Sequence, residues 1–227
     1  MKIIRLLLQL NDGRDKVLKV IQYLLKILDW KLSWKNKKIN QRLKNTISQL
    51  SLSRRLVRFF HFLEPLHSLE SANHKDFSSC LSILNNSITL VQDCIDDVIC
   101  LSKIKSIDES YASTLSTWSD IMWFVTIHLD LIENVIQARK QKSILISIKN
   151  EELSLLDSKL DHFYRLDQAK EKLFMINVGI LKLCFDYSFC MFDVFGLKRF
   201  GFDENLTQVV PAFGSGLLSS FKLIKKI

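Results

Sequence analysis

Apolar residues recur along most of this chain at the three- and four-residue steps of a helix. Residues 14–34 place Val17, Ile21, Leu24, Leu25 and Leu28 on one face and Lys16, Lys19, Lys26 and Asp29 opposite. Asp12 is in position to cap this helix, with Asp15 three residues on. Residues 38–64 predict a second helix, ended or kinked at Glu64 because Pro65 disfavours helical geometry before it. Its last part has the sharpest pattern: Leu52, Leu56, Phe59, Phe60, Leu63 and Leu66 fall within an arc of roughly 120°. Arg54, Arg58 and His61 lie opposite, with Arg55 at the polar edge. Residues 70–75 read as a loop. Residues 77–105 predict a third helix with an unbroken stripe of Phe77, Leu81, Leu84, Ile88, Val91, Ile95 and Ile99. Asn85, Asn86, Asp93, Asp96 and Asp97 fill the rest, so this helix is expected to pack its stripe on protein and turn its acidic side to water.

Further helical stretches cover 117–140 and 153–195, with a turn expected around Gly196 and Gly201. Asn205–Phe221 is 17 residues without a charge, followed by Lys222, Lys225 and Lys226. A spanning helix needs about 20 mainly apolar residues. This segment is shorter and carries Pro211, Gly214 and Gly216, which predicts a re-entrant or interfacial piece, or a kinked and tilted span. Asp120, Asp130, Glu133, Lys182 and Asp186 interrupt the other apolar stretches, so no segment reads as a clean transmembrane helix.

Composition narrows the class. Six Gly and two Pro in 227 residues leave too few turns for sandwiches, barrels or propellers. The expected fold is all-α, a membrane-associated helical bundle of long amphipathic helices. Charge divides it: residues 1–75 hold 16 Lys/Arg against 5 Asp/Glu, and residues 76–227 hold 16 against 19. The chain therefore reads as a basic amphipathic region, 1–75, and a helical membrane-associated region, 76–227, ending in an apolar anchor segment. The basic first third implies an anionic partner: nucleic acid, lipid head groups or an acidic protein.

Enzyme signatures are missing. Gly13 opens no phosphate loop, and Gly214 and Gly216 form a lone GxG with no strand before it. His61 and His67 are six residues apart, as are Cys184 and Cys190, which suits no metal pair on a helix. Five cysteines without CxxC spacing fit a reduced intracellular protein with free thiols. No catalysis, metal or cofactor is expected.

The opening Asp12-Gly13-Arg14-Asp15-Lys16-Val17-Leu18, followed by Gln22-Tyr23, resembles the D-G-R-[DE]-K-x-x-[RK]-x-x-Q-Y start of the peroxin-11 (peroxisomal biogenesis factor 11) family. Ser53-Arg54-Arg55-Leu56-Val57-Arg58-Phe59-Phe60, closed by Pro65-Leu66, is similar to a second segment of that family in its fungal members. Trp118-Ser119 before an apolar run, and the small-and-apolar run Phe213 to Ser220, complete the order.

The resemblance implies a peroxisomal membrane protein that promotes elongation, proliferation and division of the organelle. It implies an amphipathic helix inserting into one leaflet, self-association into a homo-oligomer, and cooperation with a dynamin-related fission GTPase and its membrane adaptor. The membrane-binding residues are then Leu52, Arg54, Arg55, Leu56, Arg58, Phe59, Phe60, Leu63 and Leu66, acting on an anionic phospholipid membrane. By periodicity alone the same stripe is bundle core; the adjacent arginines and the resemblance favour the membrane. A pore for small metabolites, lined by Asp120, Asp130 and Lys182, is the alternative. A soluble helical nucleic-acid binder is a more distant one, and no nucleic-acid partner is expected.

Overall fold

A computed structural model describes residues 11–32, 37–70, 77–151, 159–196 and 205–226. Within them the chain is all-α. Seven helices run in order: α1 (Asn11–Leu32), α2 (Lys37–Val57), α3 (Leu63–Glu70), α4 (Phe77–Lys103), α5 (Ala112–Glu151), α6 (Lys159–Val194) and α7 (Val210–Lys226). A 3-10 turn at Glu109–Tyr111 leads into α5, and a π-helical turn at Asn205–Val209 leads into α7.

The helices close into a ring. Each of α1, α2, α4, α5, α6 and α7 packs on the next in that order, and α7 returns to α1, while α3 lies on α4. Around this ring the interior is unusually polar and the outside unusually apolar. Among the described residues, ten buried side chains are polar or charged, including Gln22, Gln92, Asp93, Ser119 and Asp186, against twelve that are hydrophobic. The outside carries the large apolar residues. On α5, Trp118, Ile121, Val125, Ile132 and Val135 follow one another at helical steps and are exposed. On α6 Phe174 and Leu181, seven residues apart, are exposed, as is Phe195 just past its end, and on α4 Phe77, Leu84, Val91 and Val98 recur at intervals of seven. Soluble monomers rarely expose contiguous apolar surface on this scale. α5 and α6 each hold an apolar window long enough to cross a membrane, and only 11% and 28% of those windows is buried inside the protein.

Several expectations change. The first helix already includes Asn11, so Asp12 lies within it, paired to Lys16 one turn on, and is not its cap. The break in the second helix falls at Phe60, not at Pro65. Phe60 adopts φ 64°, a left-handed conformation costing a bulky residue roughly 1–2 kcal/mol. Pro65 sits in the first turn of α3, where a missing N–H costs nothing.

α4 is turned opposite to expectation. Its acidic side faces the ring, with Asp93 buried, while Phe77, Leu84 and Val91 face outward, Leu81, Ile88 and Ile95 are half-buried, and Ile99 alone of the stripe is buried as expected. Water is the wrong solvent for predicting that rotation; a bundle in lipid hides its polar side. Of the charges expected to interrupt α5 and α6, Asp120, Asp130, Lys182 and Asp186 line the interior, and Glu133 does not.

Pro211, Gly214 and Gly216 do not break α7. Pro211 lies in its first turn, and the glycines allow close approach. A Cβ at Gly214 would meet the Phe185 ring at 3.3 Å, and one at Gly216 would meet Val20 Cγ2 at 3.2 Å. Gly196, at φ 59°, ends α6 as a left-handed cap residue. The loop expected at 70–75 falls outside the described residues except for Glu70, which still belongs to α3, and Gly201 also falls outside them.

Candidate functional site

The ring encloses a polar cavity of about 620 Å³, lined by side chains from all six of its helices. Several of the charges inside it are paired, most of them across elements. Arg54 of α2 donates from Nε to Asp15 Oδ1 (3.0 Å) and from Nη1 to Gln22 Oε1 (2.8 Å), both on α1. Lys19 of α1 lies 3.5 Å from Asp186 of α6 and donates to Ser215 Oγ of α7 at 3.1 Å. Lys182 reaches the other oxygen of Asp186 at 2.8 Å. Buried ions are stable only when paired and hydrogen-bonded, and these are. The anionic partner implied by the basic first third is thus, in part, the second half of the same chain.

The turn between α2 and α3 is fastened to α4 by polar contacts. Arg58 lies 3.8 Å from Asp93 Oδ1, and His61 Nδ1 lies 3.0 Å from Asp93 Oδ2. The Phe60 amide donates to Asp97 Oδ2 at 3.1 Å, which helps hold that residue in its left-handed conformation. The hydrogen bond to Asp93 raises the His61 pKa above the ordinary 6.5, against partial burial.

The residues expected to bind membrane divide by type. Leu56, Phe60, Leu63 and Leu66 are exposed, Phe60 most of all at 58%. Leu52 and Phe59 are half-buried, and Phe59 packs against the Phe60 ring at 4.5 Å. Arg54 and Arg55 are partly buried and line the cavity. Arg58 is exposed but leans on Asp93. The arm therefore presents its apolar residues outward and spends its cations inward. Asp120, Asp130 and Lys182 all line the cavity.

Sequence patterning missed the partners: Asp93, Asp97, Asp186 and Ser215. Asp93 and Asp97 stand one helical turn apart, a spacing that marks a shared face without saying whether water or protein covers it. One signal was available. The first 75 residues carry a large excess of basic over acidic residues, and part of their complement lies on α4 and α6.

Three separated stretches of sequence meet here: Asp15 to Tyr23, Ser53 to Phe60, and Phe213 to Ser220. The model of the peroxisomal biogenesis factor 11 (PEX11) family matches residues 1–220. The chain belongs to that family. It is accordingly a peroxisomal membrane protein and a factor in peroxisome biogenesis, a role that is not that of an enzyme family. No curated protein and no solved structure matches the chain.

In this PEX11 protein the opening motif is structural before it is anything else. Asp15 and Gln22 receive the Arg54 guanidinium, and Tyr23 is buried with Val209 and Ala212 at the α1–α7 seam.

Proposed function

We propose that this PEX11 protein elongates and divides peroxisomes by embedding its apolar outer surface in the membrane, with the α2–α3 arm acting as a wedge in one leaflet. The observation that supports this is the outward placement of Leu56, Phe60, Leu63 and Leu66 while the polar side of the same arm is tied to α1 and α4. Burying such side chains in acyl chains is worth roughly 1.5–3 kcal/mol each when complete. Area added to one leaflet favours curvature, and self-association into a homo-oligomer would concentrate it. A dynamin-related GTPase and its adaptor would then act on the narrowed tubule. Anionic lipid attracts the arm less through Arg54, which is engaged internally, than through the exposed Arg58.

The test uses full-length protein reconstituted in vesicles containing anionic lipid. Leu56→Glu with Leu63→Glu should abolish tubulation while leaving the helical circular dichroism intact, since both residues are exposed. Tubulation at the wild-type level by that variant refutes the wedge.

A second reading rests on the closed polar ring. A cavity bounded by six helices and lined by Asp120, Asp130 and Lys182 suits passage of small solutes through the bilayer. Conductance of the reconstituted protein that changes with Asp130→Asn would support it; bilayers that stay electrically silent would refute it.

A further inference from the structure

The cavity is not charge-satisfied at every wall. Among the described residues, Asp15, Asp93 and Asp186 have cationic partners within 4.0 Å, whereas Asp96, Asp97 and Asp120 have none. Asp96 accepts a hydrogen bond from Ser119 at 2.8 Å, and Asp97 accepts one from the Phe60 amide. The Asp120 carboxylate takes part in no hydrogen bond or ion pair with the described residues. Arg55 lines the same part of the cavity, partly buried, and likewise has no hydrogen-bonded or ion-paired partner there.

Gln92 is the second, independent sign. It is 8% exposed, lines the cavity, and its side-chain amide makes no hydrogen bond to the described residues. The amide is reached from the cavity, where a ligand or water meets it. Beside them stands an aromatic wall: Trp123 lies one turn along α5 from Asp120, and its ring sits 5.6 Å from that of Phe189, both lining the cavity.

Unpaired carboxylates beside aromatic rings recognise an organic ammonium, by charge and through the faces of the rings. A lone guanidinium next to them recognises an acid group. We infer that this end of the cavity is a binding site for a small zwitterionic amine, its ammonium held by Asp96, Asp97, Asp120 and Trp123 and its acid group by Arg55, with Gln92 bonding to the ligand between them. A volume of about 620 Å³ lies within the roughly 300–1,000 Å³ of small-molecule sites. The same chemistry is carried by a free solute or by a zwitterionic phospholipid head group entering from the bilayer. Binding at equilibrium is separate from conduction and from tubulation, so its failure leaves both readings above standing.

The full chain in nanodiscs of phosphatidylglycerol, which carries no ammonium, is titrated with glycine betaine by calorimetry. Saturable binding is expected. Losing one charge-assisted contact should weaken it about tenfold or more in Asp120→Asn, and Gln92→Leu should weaken it as well. Arg55→Gln should weaken glycine betaine while sparing tetramethylammonium, a separation that a merely structural role for Arg55 would not give. Circular dichroism confirms that each variant keeps its helices. Repeating the titration in phosphatidylcholine identifies the source: lost betaine binding assigns the site to the lipid head group, and unchanged binding assigns it to a free solute. The inference is overturned if neither glycine betaine nor tetramethylammonium binds in phosphatidylglycerol, if acetate binds as well as they do, or if Asp120→Asn and Gln92→Leu both bind as the wild type does.

Discussion

Arg54 and His61 show how single side chains hold the arm to the ring. Arg54 has two acceptors on one helix, Asp15 and Gln22, and its ion pair is largely shielded from solvent. Arg54→Ala leaves a carboxylate and an amide without their donor, so it should destabilise the fold by about 2–4 kcal/mol. A double-mutant cycle with Asp15→Asn, read from denaturation in mixed micelles, should show coupling; additive losses would mean the pair contributes nothing specific. His61 makes docking of the turn depend on pH. Its pKa is raised in the folded state by Asp93, so the charged form contributes fully below the ordinary value of 6.5 and is lost as pH rises through the higher folded value. Hydrogen exchange at residues 58–66 should therefore speed up, beyond its intrinsic pH dependence, as pH rises from about 6 to 8. His61→Gln should remove that excess; an excess that persists in the variant places the titrating group elsewhere. The segregation of apolar from basic residues around 52–66 was legible in the sequence. The destination of the basic ones was not, because periodicity gives a face and never names what lies against it.

At the scale of elements, α2 with α3 and α7 depart most from expectation, for opposite reasons. The arm was read as one helix to Glu64, but Asp97 captures the Phe60 amide and the chain turns there, a long-range contact outweighing local propensity. α7 was read as interrupted, yet its small residues are what let it lie against α1 and α6: Ala212, Ser215 and Ser219 are buried while Leu217, Phe221 and Ile224 face outward. At 17 residues it is shorter than the roughly 20 a span requires. Anchoring surface is offered more amply by α5 and α6. Deleting 205–227 should thus leave the protein resistant to alkaline extraction from membranes, while exposing the faces of α1 and α6 that α7 covers and lowering its thermal stability. Release into the alkaline supernatant would locate the anchor in the C-terminal segment instead.

For the whole molecule, the governing feature is a polar interior within an apolar outside. The all-α class followed from the scarcity of Gly and Pro and from helical periodicity, both properties of the chain alone. Which side of each helix faces inward depends on the solvent, and that is why α4 was turned the wrong way and the charges of α5 and α6 were taken as obstacles to insertion. Once lipid is the surroundings, Asp93, Asp120, Asp130 and Asp186 belong around a polar centre and the large apolar side chains belong outside. Trp118 and Trp123 report on this directly, being five positions apart on α5 with Trp118 54% exposed and Trp123 lining the cavity. With Trp30, Trp34 and one of this pair replaced by Phe, two single-tryptophan proteins can be reconstituted into vesicles whose acyl chains carry bromine, a short-range quencher. Fluorescence of Trp118 should be strongly quenched by brominated lipid and hardly touched by aqueous iodide, while Trp123 should be spared by brominated lipid. Equal quenching of both by the lipid, or a Trp118 quenched only from water, would contradict a ring with a polar interior and an apolar outside.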